Sequence, residues 1–433
     1  MNEDKPAGPQ TGCAHGHTEL YPKGCARVTK LIADRLEGVK PSASGKASQR
    51  ARELLAAGID VISLATGEPD FDTPEHVIEA AIAAMRAGDT RYTSVGGTPA
   101  LLRAVRTKFQ RDNAIDYAPN EVMCAPGTKN LIFLALMATL NEGDEVIVPA
   151  PHWVSYTDMT RLVGGNPVVV PCSHNNGYKL DGASLEAAIT PRTRWLMLNT
   201  PSNPTGAVYT PEDLLEIAEV LRRHPQVMLM SDEIYEHILF DGVKFHSFAA
   251  VAPDLKERTL TLSGVSKGYA MTGWRVGFAG GTAPLIAAMK EVLSQSSGSL
   301  CSISQAASVA ALEGPQDYLA ERSASFQARR DRLIPLLDAI PGLRCHRPQG
   351  AFYLFVECGG LFGLRTPAGT VLEKDADVAA FFLDEARVVV VAGAAYGLSP
   401  HVRLSIATSM EKLEEAAARM AAAVAKLSPA MAA

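Results

Sequence analysis

A lysine and an arginine stand eight positions apart in SGVSKGYAMTGWRVG (263–277), among small and apolar side chains. Lys267 loses solvation in such surroundings, which lowers its pKa and leaves a neutral, nucleophilic amine. An amine of this kind bonds covalently to carbonyl compounds. A lysine on the protein surface is the plain alternative, but it does not account for the neighbouring residues or for Arg275.

Two further polar segments follow apolar runs, as expected at the carboxyl ends of strands. The run VMLMSDE (227–233) ends in Asp232 and Glu233, and NTPSNPTGAVY (199–209) places Asn203 before a proline. Ligands of open α/β sheets bind at such strand ends. An acidic pair is as often structural as functional, and the second segment is equally compatible with a tight turn. An Asn-Pro bond in the cis form would orient the Asn203 side chain.

The segment APGTKN (125–130) opens a helical pattern after a short apolar run. Gly127, Thr128 and Lys129 at a helix start offer backbone N–H groups, a hydroxyl and a cation to an anion. Many helices begin this way, so the segment alone is weak evidence. The patterns G-x-x-x-x-G-K-[ST], G-x-G-x-x-G and H-E-x-x-H are absent from the sequence, which argues against the nucleotide and zinc sites that they mark.

These residues together suit one cofactor. Pyridoxal phosphate needs a lysine for its aldehyde, cations and N–H groups for its phosphate, an acid for its pyridinium nitrogen and a flat group against its ring. The sequence offers Lys267, then Arg275 with 127–128, then Asp232, and an aromatic candidate in Trp153. It therefore predicts a pyridoxal phosphate site.

The apolar runs that would position these residues alternate with helical patterns from residue 60 onward. Runs that are apolar throughout are typical of strands covered on both faces, so we expect a mostly parallel sheet with crossover helices. The runs are Val61–Leu64, Val146–Val148, Trp195–Leu198, Val227–Met230 and Leu260–Leu262. Thr-Pro pairs at 73–74, 98–99 and 210–211 predict helix starts, with threonine as N-cap and proline as first helical residue.

The pattern changes after about residue 320. A charged helix is predicted over 320–337, followed by the strand-like GAFYLFVE and VRLSIA and by an Ala-rich helix, which indicates a smaller α+β domain. We therefore expect an α/β protein. Its four parts would be a flexible tail (1–27), a segment joining the small domain (28–66), a large cofactor-binding domain (67–319) and the small C-terminal domain (320–433).

Composition argues against several classes of protein. The 433 residues carry a net charge of −6, which leaves no basic footprint for nucleic acid. The longest apolar run, near 131–140, is far shorter than the ~20 residues that span a bilayer, so we expect no membrane segment. The polar start lacks a secretion signal. Seven cysteines without a C-x-x-C pair predict reduced thiols in the cytoplasm.

The tail combines residue types that can bind metal, namely Cys13, His15, His17 and Cys25. Their spacing fits no common zinc pattern. A solvated tail is the simpler interpretation, and the sequence predicts no metal site.

Eight motifs occur in the order SLATGEPDFDTP, RYTSVGGTPALLRAV, GDEVIVPAPHWVSY, NTPSNPTGAVY, SDEIYEH, SKGYAMTGWRVGF, GAFYLF and HVRLSIATS. In these motifs the chain resembles the class I pyridoxal phosphate-dependent aminotransferases of fold type I. The similarity is greatest to the prokaryotic-type aspartate aminotransferases, which include prephenate aminotransferases, and runs from about Val39 to the C-terminal helix. It implies a large domain with a mostly parallel sheet and flanking helices, plus a smaller α+β domain.

The resemblance implies roles around the cofactor ring. Lys267 would bond to the aldehyde and later move a proton between the substrate's Cα and the cofactor. Asp232 would keep the ring nitrogen protonated. Tyr235 and Asn203 would hydrogen-bond the ring oxygen, and Trp153 would stack on the ring.

The phosphate and the substrate have implied ligands as well. Those of the phosphate are Arg275, Gly127, Thr128 and Lys129, with Tyr92 reaching the phosphate of a neighbouring subunit in a homodimer. Those of the substrate are Gly67, Trp153, Asn203, Arg403, Lys129 and Ser44. Arg403 would grip the α-carboxylate as a bidentate fork. Lys129 and Ser44 would bind a distal carboxylate, which favours aspartate, glutamate or prephenate as substrates of a ping-pong transamination.

Departures from the subgroup leave the side-chain specificity open. His152 stands where tyrosine is usual, Asn130 where glutamine is common and Thr128 where a smaller residue is found, and the insert 358–377 is long. An aminotransferase for aromatic or aliphatic amino acids is therefore the first alternative. A pyridoxal-dependent lyase on the same fold is another. A non-catalytic regulator is the alternative of a different class, but the tail is too short for an added DNA-binding domain.

Overall fold

The structure is a computed structural model that describes residues 31–39 and 43–429. The predicted tail and its four metal-capable residues lie outside the described residues. The first helix, α1, spans Ala43–Ala56, and a short strand, β1, spans Ile62–Ser63. Ser44 lies in α1, but its side chain is outside what the structure describes.

Seven strands form the large sheet, in the order β2-β8-β7-β6-β5-β3-β4. They are β2 (Val122–Ala125), β3 (Glu145–Ala150), β4 (Asn166–Pro171), β5 (Thr193–Asn199), β6 (Met228–Asp232), β7 (Thr259–Gly264) and β8 (Gly277–Gly280). In this sheet β8 runs antiparallel to both of its neighbours, β2 and β7, and the other neighbouring strands are parallel to one another. The predicted mostly parallel α/β sheet is therefore confirmed.

Helices cover both faces of the large sheet. They are α2 (Glu75–Arg86), α3 (Pro99–Asn113), α4 (Thr128–Thr139), α5 (Ser155–Leu162), α6 (Gly182–Ala188), α7 (Pro211–Arg223), α8 (Phe248–Val251), α9 (Ala283–Gln295) and α10 (Ser302–Glu313). Alternate strand residues enter different cores: Met230 packs with α4 and α9, whereas Leu229 packs with α7. Burial on both faces explains why these strands are apolar throughout.

The three Thr-Pro predictions have different outcomes. Thr98 and Thr210 cap α3 and α7 through their hydroxyls, with proline as first helical residue. At the third pair α2 begins at Glu75, one residue later than predicted, and Pro74 occupies the cap position. Thr73 does not cap the helix; its hydroxyl instead accepts from Trp274 Nε1 at 3.0 Å and donates to the Ala270 carbonyl at 3.2 Å.

A smaller α+β unit follows the large sheet. Its helices are α11 (Asp317–Asp338), α12 (Asp375–Ala386) and α13 (Met410–Val424), and its strands are β9 (Arg344–Cys345), β10 (Tyr353–Glu357), β11 (Leu364–Arg365), β12 (Val388–Val389), β13 (Val391–Ala392), β14 (His401–Ser405) and β15 (Ser428–Pro429). The four strands β13-β14-β10-β9 form an antiparallel sheet. The strand β11 lies in the long insert and pairs with β15, which follows α13.

One predicted strand belongs to this smaller unit. The run Val61–Leu64 contains β1, which pairs in parallel with β12 and not with the large sheet. Its apolar side chains are buried because they pack with the small unit, as Ile62 and Leu64 do. The domain boundaries at 67 and 320 stay predictions, and α11 begins ahead of the second, at Asp317.

Candidate active site

A cavity of about 440 Å³ opens at the carboxyl ends of β5, β6 and β7, between the large sheet and β14. It brings together ten of the predicted site residues, namely Gly67, Thr128, Lys129, Trp153, Asn203, Asp232, Tyr235, Lys267, Arg275 and Arg403. Strand ends in the middle of a parallel sheet are where this class of fold binds ligands.

Register between β5 and β6 places Asn203 beside Asp232. Asn199, the last residue of β5, lies opposite Asp232, the last residue of β6. Its Nδ2 donates to the Asp232 carbonyl at 2.8 Å, and its Oδ1 accepts from the Asn203 amide at 2.7 Å. The Asn203–Pro204 bond is cis, as is Thr200–Pro201. The loop after β5 is therefore tied to the end of β6, and Asn203 faces the cavity.

Asp232 is a buried carboxyl with few partners. Its Oδ2 accepts from the Tyr156 hydroxyl at 2.7 Å, and its Oδ1 accepts from the Ile234 amide at 3.4 Å. Burial raises the pKa of Asp232 to about 6, against the opposing effect of the Tyr156 bond. A cationic group in the cavity would return this carboxyl to its ionised form.

Lys267 follows β7 and enters the cavity opposite Asp232. Its Nζ donates to the Gly67 carbonyl at 2.5 Å. Burial lowers the pKa of Lys267 to about 8, although the charge of Glu68 acts in the other direction. The neutral amine, which is the state required of a nucleophile or a general base, is therefore far more populated near neutral pH than in an ordinary lysine.

The beginning of α4 forms a cradle for an anion. Gly127 caps the helix at a φ of 85°, and a Cβ added there would lie 2.5 Å from Arg275 Nη2. The Thr128 hydroxyl donates to the Ser263 carbonyl at 3.0 Å, which ties α4 to the end of β7. Lys129 Nζ lies 4.8 Å from the Trp153 ring centroid. Burial, and then the charge of Arg275, lower the pKa of Lys129.

Arg403 is a buried cation without an acidic partner among the described residues. Its side chain lies on β14 and is 2% exposed. Nη2 donates to the Ala65 carbonyl at 2.6 Å and Nη1 to Asn203 Oδ1 at 3.2 Å, whereas Nε has no partner. The guanidinium carbon lies 4.4 Å from the Tyr353 ring centroid. A buried charge left unpaired in this way is suited to an anionic ligand.

A nucleophilic lysine, a buried acid and an unpaired arginine thus share one cavity. The family model for the class I and II aminotransferases matches residues 59–420. The chain belongs to this family. It is therefore a transaminase, as the sequence predicts.

Similar proteins agree with this assignment. The aspartate/prephenate aminotransferase of Cereibacter sphaeroides is 50% identical over 398 residues, 92% of this chain and 100% of that protein. The crystal structure of the aspartate aminotransferase from Rhizobium meliloti superposes with a TM-score of 0.90 at 50% identity, covering 92% of this chain and 100% of the other. The structure of the aspartate aminotransferase from Thermus thermophilus with maleate superposes with a TM-score of 0.85 at 40% identity, covering 91% of this chain and 100% of the other.

Three predicted site residues, Gly127, Tyr92 and Ser44, are not among the residues that line the cavity of this aminotransferase, although Gly127 lies beside Arg275, which does. Tyr92 is fully exposed, at 101%, and contacts none of the other predicted residues in the described chain. For Ser44 the side chain is not described, but α1 brings Gly45 and Ser48 to the cavity. The roles implied for all three residues stay predictions.

Sequence reasoning missed several residues of the cavity. Tyr156 bonds Asp232, and Tyr353 contacts the Tyr235 hydroxyl at 2.9 Å. Glu68 accepts a hydrogen bond from Thr272. Tyr156 and Tyr353 stand in the quoted motifs GDEVIVPAPHWVSY and GAFYLF, so the signal was present, but no spacing rule pointed to these positions.

No helix in the described part of the chain is long and apolar enough to cross a membrane. Within the same residues, no group of three or more His, Cys, Asp or Glu side chains could hold a metal ion.

Proposed function

We propose that this aminotransferase uses pyridoxal phosphate to move an amino group between aspartate or glutamate and a 2-oxo acid. The observation that carries the proposal is the convergence of Lys267, Asp232 and Arg403 on one cavity. Relatives named aspartate aminotransferase support the choice of substrate, since they cover almost the whole chain.

The cavity fits pyridoxal phosphate at both ends. Asp232, buried and bonded on one oxygen by Tyr156, would hold the pyridinium proton. At the other end, the absence of a side chain on Gly127 leaves room beside Arg275 Nη2, so the phosphate would meet a guanidinium, the Thr128 amide and a helix N-terminus. Bound there, the cofactor supplies an electron sink for the substrate's Cα bonds.

The remaining ring contacts would come from three side chains. Trp153 lines the same cavity and would stack on the ring. Asn203 and Tyr235 would hydrogen-bond the ring oxygen, and Tyr235 is oriented by its contact with Tyr353 at 2.9 Å. These residues would hold the reacting carbon within reach of Lys267.

Lys267 would first hold the cofactor and then act as the proton carrier. Its pKa of about 8, caused by burial, leaves the amine able to take a proton from the substrate's Cα and return it to the neighbouring cofactor carbon. The bond to the Gly67 carbonyl at 2.5 Å keeps Nζ on the cavity side.

Substrate carboxylates would bind at opposite ends of the cavity. Arg403 would take the α-carboxylate as a fork, with the Gly67 amide beside it. Lys129, and Ser44 on α1, would take the distal carboxylate. A second acidic group is what aspartate, glutamate and prephenate share. We propose prephenate as a further amino acceptor, because the Cereibacter relative is named for it.

The protein would act as a cytoplasmic homodimer with two shared active sites. Full exposure of the Tyr92 side chain, at 101%, supports a role toward a second copy of the chain, where it would reach the phosphate. The proposed parts are those predicted from the sequence, with the large cofactor-binding domain over 67–319 and the small domain over 320–433.

Absorbance of the purified protein, with single amino acids added, tests the function. We expect aspartate and glutamate to bleach the visible band of the lysine-bound cofactor, and Lys267→Ala to abolish both the band and transamination. Lys256→Ala, which removes a lysine paired with Glu121 at 3.0 Å outside the cavity, is the control. Bleaching by aromatic or aliphatic amino acids alone would overturn the substrate proposal, and a normal band in Lys267→Ala would overturn the site.

A further inference from the structure

A polar cluster lies in the protein interior behind the cavity, where α3 packs against the ends of β6 and β7. We call it the Glu236 cluster, and its members are Lys108, Asn113, Glu233, Glu236 and Ser263. All five side chains are buried, and Lys108 and Glu233 are 0% exposed. None of them lines the cavity. Buried charges are costly unless they are paired, so their presence here requires an explanation.

Glu236 is the centre of the cluster. Its Oε1 lies 2.5 Å from Lys108 Nζ and accepts from the Ser263 hydroxyl at 2.6 Å. Its Oε2 accepts from Asn113 Nδ2 at 2.7 Å. Burial alone would raise the pKa of Glu236, but the charges of Lys108 and His237 and the bonds from Lys108 and Ser263 outweigh burial and hold the pKa at about 2. Lys108 and Glu236 are therefore a buried ion pair, with charge-assisted bonds to two further elements.

The second carboxyl of the cluster behaves differently. Glu233 accepts from the hydroxyls of Ser231 and Ser247, both at 2.8 Å, and lies 3.4 Å from Asn113 Nδ2. Burial, and then the charge of Glu236, raise its pKa to about 8. Glu233 is thus a neutral acid below that pH, and the single negative charge of the cluster resides on Glu236.

The bonds of Glu236 connect the two segments that carry the chemistry. On one side, Glu236 directly follows Tyr235 and lies four residues after Asp232. On the other side, Ser263 lies four residues before Lys267, and its carbonyl accepts from the Thr128 hydroxyl at 3.0 Å. A single carboxylate therefore ties the segment of the acid to the segment of the lysine.

We propose that Glu236, paired with Lys108, is a positioning residue that sets the distance between Asp232 and Lys267. The inference rests on the proposed function, since the distance between Asp232 and Lys267 matters only when the cofactor spans it. Loosening the Glu236–Ser263 bond lets the β7 end and its lysine move relative to the acid, so cofactor binding and turnover weaken together. A mere core contact would affect only stability.

Two buried serines provide a matched comparison. Ser263 and Ser247 are each 2% exposed, and each donates its hydroxyl to a buried carboxyl, Glu236 at 2.6 Å and Glu233 at 2.8 Å. Ser263→Ala removes the tie to the lysine segment but keeps the carbonyl that Thr128 uses. Ser247→Ala removes an equivalent bond at α8, away from Lys267. Both variants lose a buried hydroxyl bond to a carboxyl, so a lower Tm is expected in each, with the larger loss in Ser263→Ala because its partner is the ionised carboxyl.

The experiment measures Tm, the dissociation constant of pyridoxal phosphate from the apo form, and kcat and KM for each variant. For Ser263→Ala we expect a dissociation constant about 5- to 10-fold higher and a kcat lower by a similar factor, as for loss of a bond to a charged group. KM should stay within about twofold. For Ser247→Ala, the dissociation constant, kcat and KM should each stay within about twofold of the wild-type value.

Equal effects of the two variants, or a Ser263→Ala variant altered only in Tm, would overturn the inference while leaving the proposed function intact. A wild-type protein that binds no pyridoxal phosphate would overturn both. If Ser263→Ala does not fold, the pair Lys108→Met with Glu236→Met removes both charges and the oxygen that accepts from Ser263, and buried ion pairs often tolerate replacement by apolar side chains. This pair should show the same loss of cofactor affinity and kcat, and wild-type values in it would equally refute the inference.

Discussion

The Tyr156 hydroxyl donates to Asp232 Oδ2 at 2.7 Å, with both side chains buried at the end of β6. Tyr156 comes from α5, which follows β3, whereas Asp232 ends β6. Burial raises the pKa of Asp232 to about 6. The Tyr156 bond is the main influence in the opposite direction, since it stabilises the ionised carboxylate. In the proposed function, the tyrosine would therefore favour the ionised carboxylate that a protonated ring nitrogen needs.

Replacement of Tyr156 by Phe tests this control. Without the hydroxyl, the pKa of Asp232 should rise further, because the favourable bond to the ionised form is lost. We expect kcat to fall about 10-fold and the affinity for pyridoxal phosphate to weaken, the usual loss for a bond to a charged group. Steady-state kinetics and cofactor titration measure both. Tyr117→Phe, which loses a buried bond to Thr261 of 2.9 Å, should lower Tm but leave both values near wild type.

Glu233 makes the free energy of unfolding depend on pH. Its pKa is raised to about 8 in the folded protein, first by burial and then by the charge of Glu236, against an ordinary value of about 4.3. Between those values the folded state holds a proton that the unfolded state releases. The resulting stabilisation is complete below the ordinary value and is lost as the pH rises through about 8.

The variant Glu233→Gln should remove this dependence. Relative to the variant, wild-type stability should fall as the pH rises from about 5 to about 8, with a slope of up to about 1.4 kcal/mol per pH unit. Denaturant unfolding at a series of pH values measures the difference. Glu121→Gln is a suitable control. Burial raises the pKa of Glu121, but its bonds to Ala118 and Lys256 outweigh burial and lower the pKa, so Glu121 does not titrate in the pH range tested. Parallel wild-type and Glu233→Gln curves would contradict the prediction.

The strand ends, and the place of Lys267 in the cavity beside them, were predictable from the sequence. Strands covered on both faces are apolar throughout, so the runs before Asn203, Asp232 and Lys267 marked β5, β6 and β7 correctly. Since parallel strands end at one edge of a sheet, residues that follow them had to converge. The lysine was visible because small and apolar residues surround it in the chain.

Contacts that depend on long-range packing were not predictable in this way. The pair Tyr156–Asp232 joins positions 76 apart, and Lys108–Glu236 joins α3 to the end of β6. No local period encodes such a pair, because it depends on the register and tilt of elements that the tertiary fold brings together. The misplaced cap at Thr73 has the same cause, since a distant donor, Trp274 Nε1, bonds the hydroxyl oxygen that would have accepted from the helix.

A comparison of two buried arginines distinguishes an effect on substrate binding from an effect on protein stability. Arg403 has no acidic partner in the described chain, whereas Arg330, at 0% exposed, is paired with Asp241 and Asp331 at 2.7 Å each. Arg403→Lys should lower kcat/KM for aspartate about 100-fold, because lysine cannot form the fork that binds a carboxylate. Arg330→Lys should lower Tm and leave kcat/KM within about threefold. Comparable losses of kcat/KM in both variants would argue against the role assigned to Arg403.

Lys129 decides between two interpretations of the substrate preference. Its Nζ lies 4.8 Å from the Trp153 ring centroid, and its pKa is lowered by burial and by Arg275. If it binds a distal carboxylate, Lys129→Met should lower kcat/KM for aspartate about 10- to 100-fold, the range for loss of a partly desolvated charge pair. Phenylalanine, which lacks that carboxylate, serves as the internal control and should change less than about threefold.

The opposite outcome has an equally specific meaning. A lysine that serves the phosphate would contribute to the reaction of every substrate, so the rates with aspartate and phenylalanine would fall together and the dissociation constant of pyridoxal phosphate would rise. Arg275 lies close enough to lower the pKa of Lys129, which makes this alternative physically reasonable. Measuring both substrates and cofactor affinity on one preparation of Lys129→Met therefore separates a specificity residue from a phosphate ligand, since only the former changes the ratio of the two kcat/KM values.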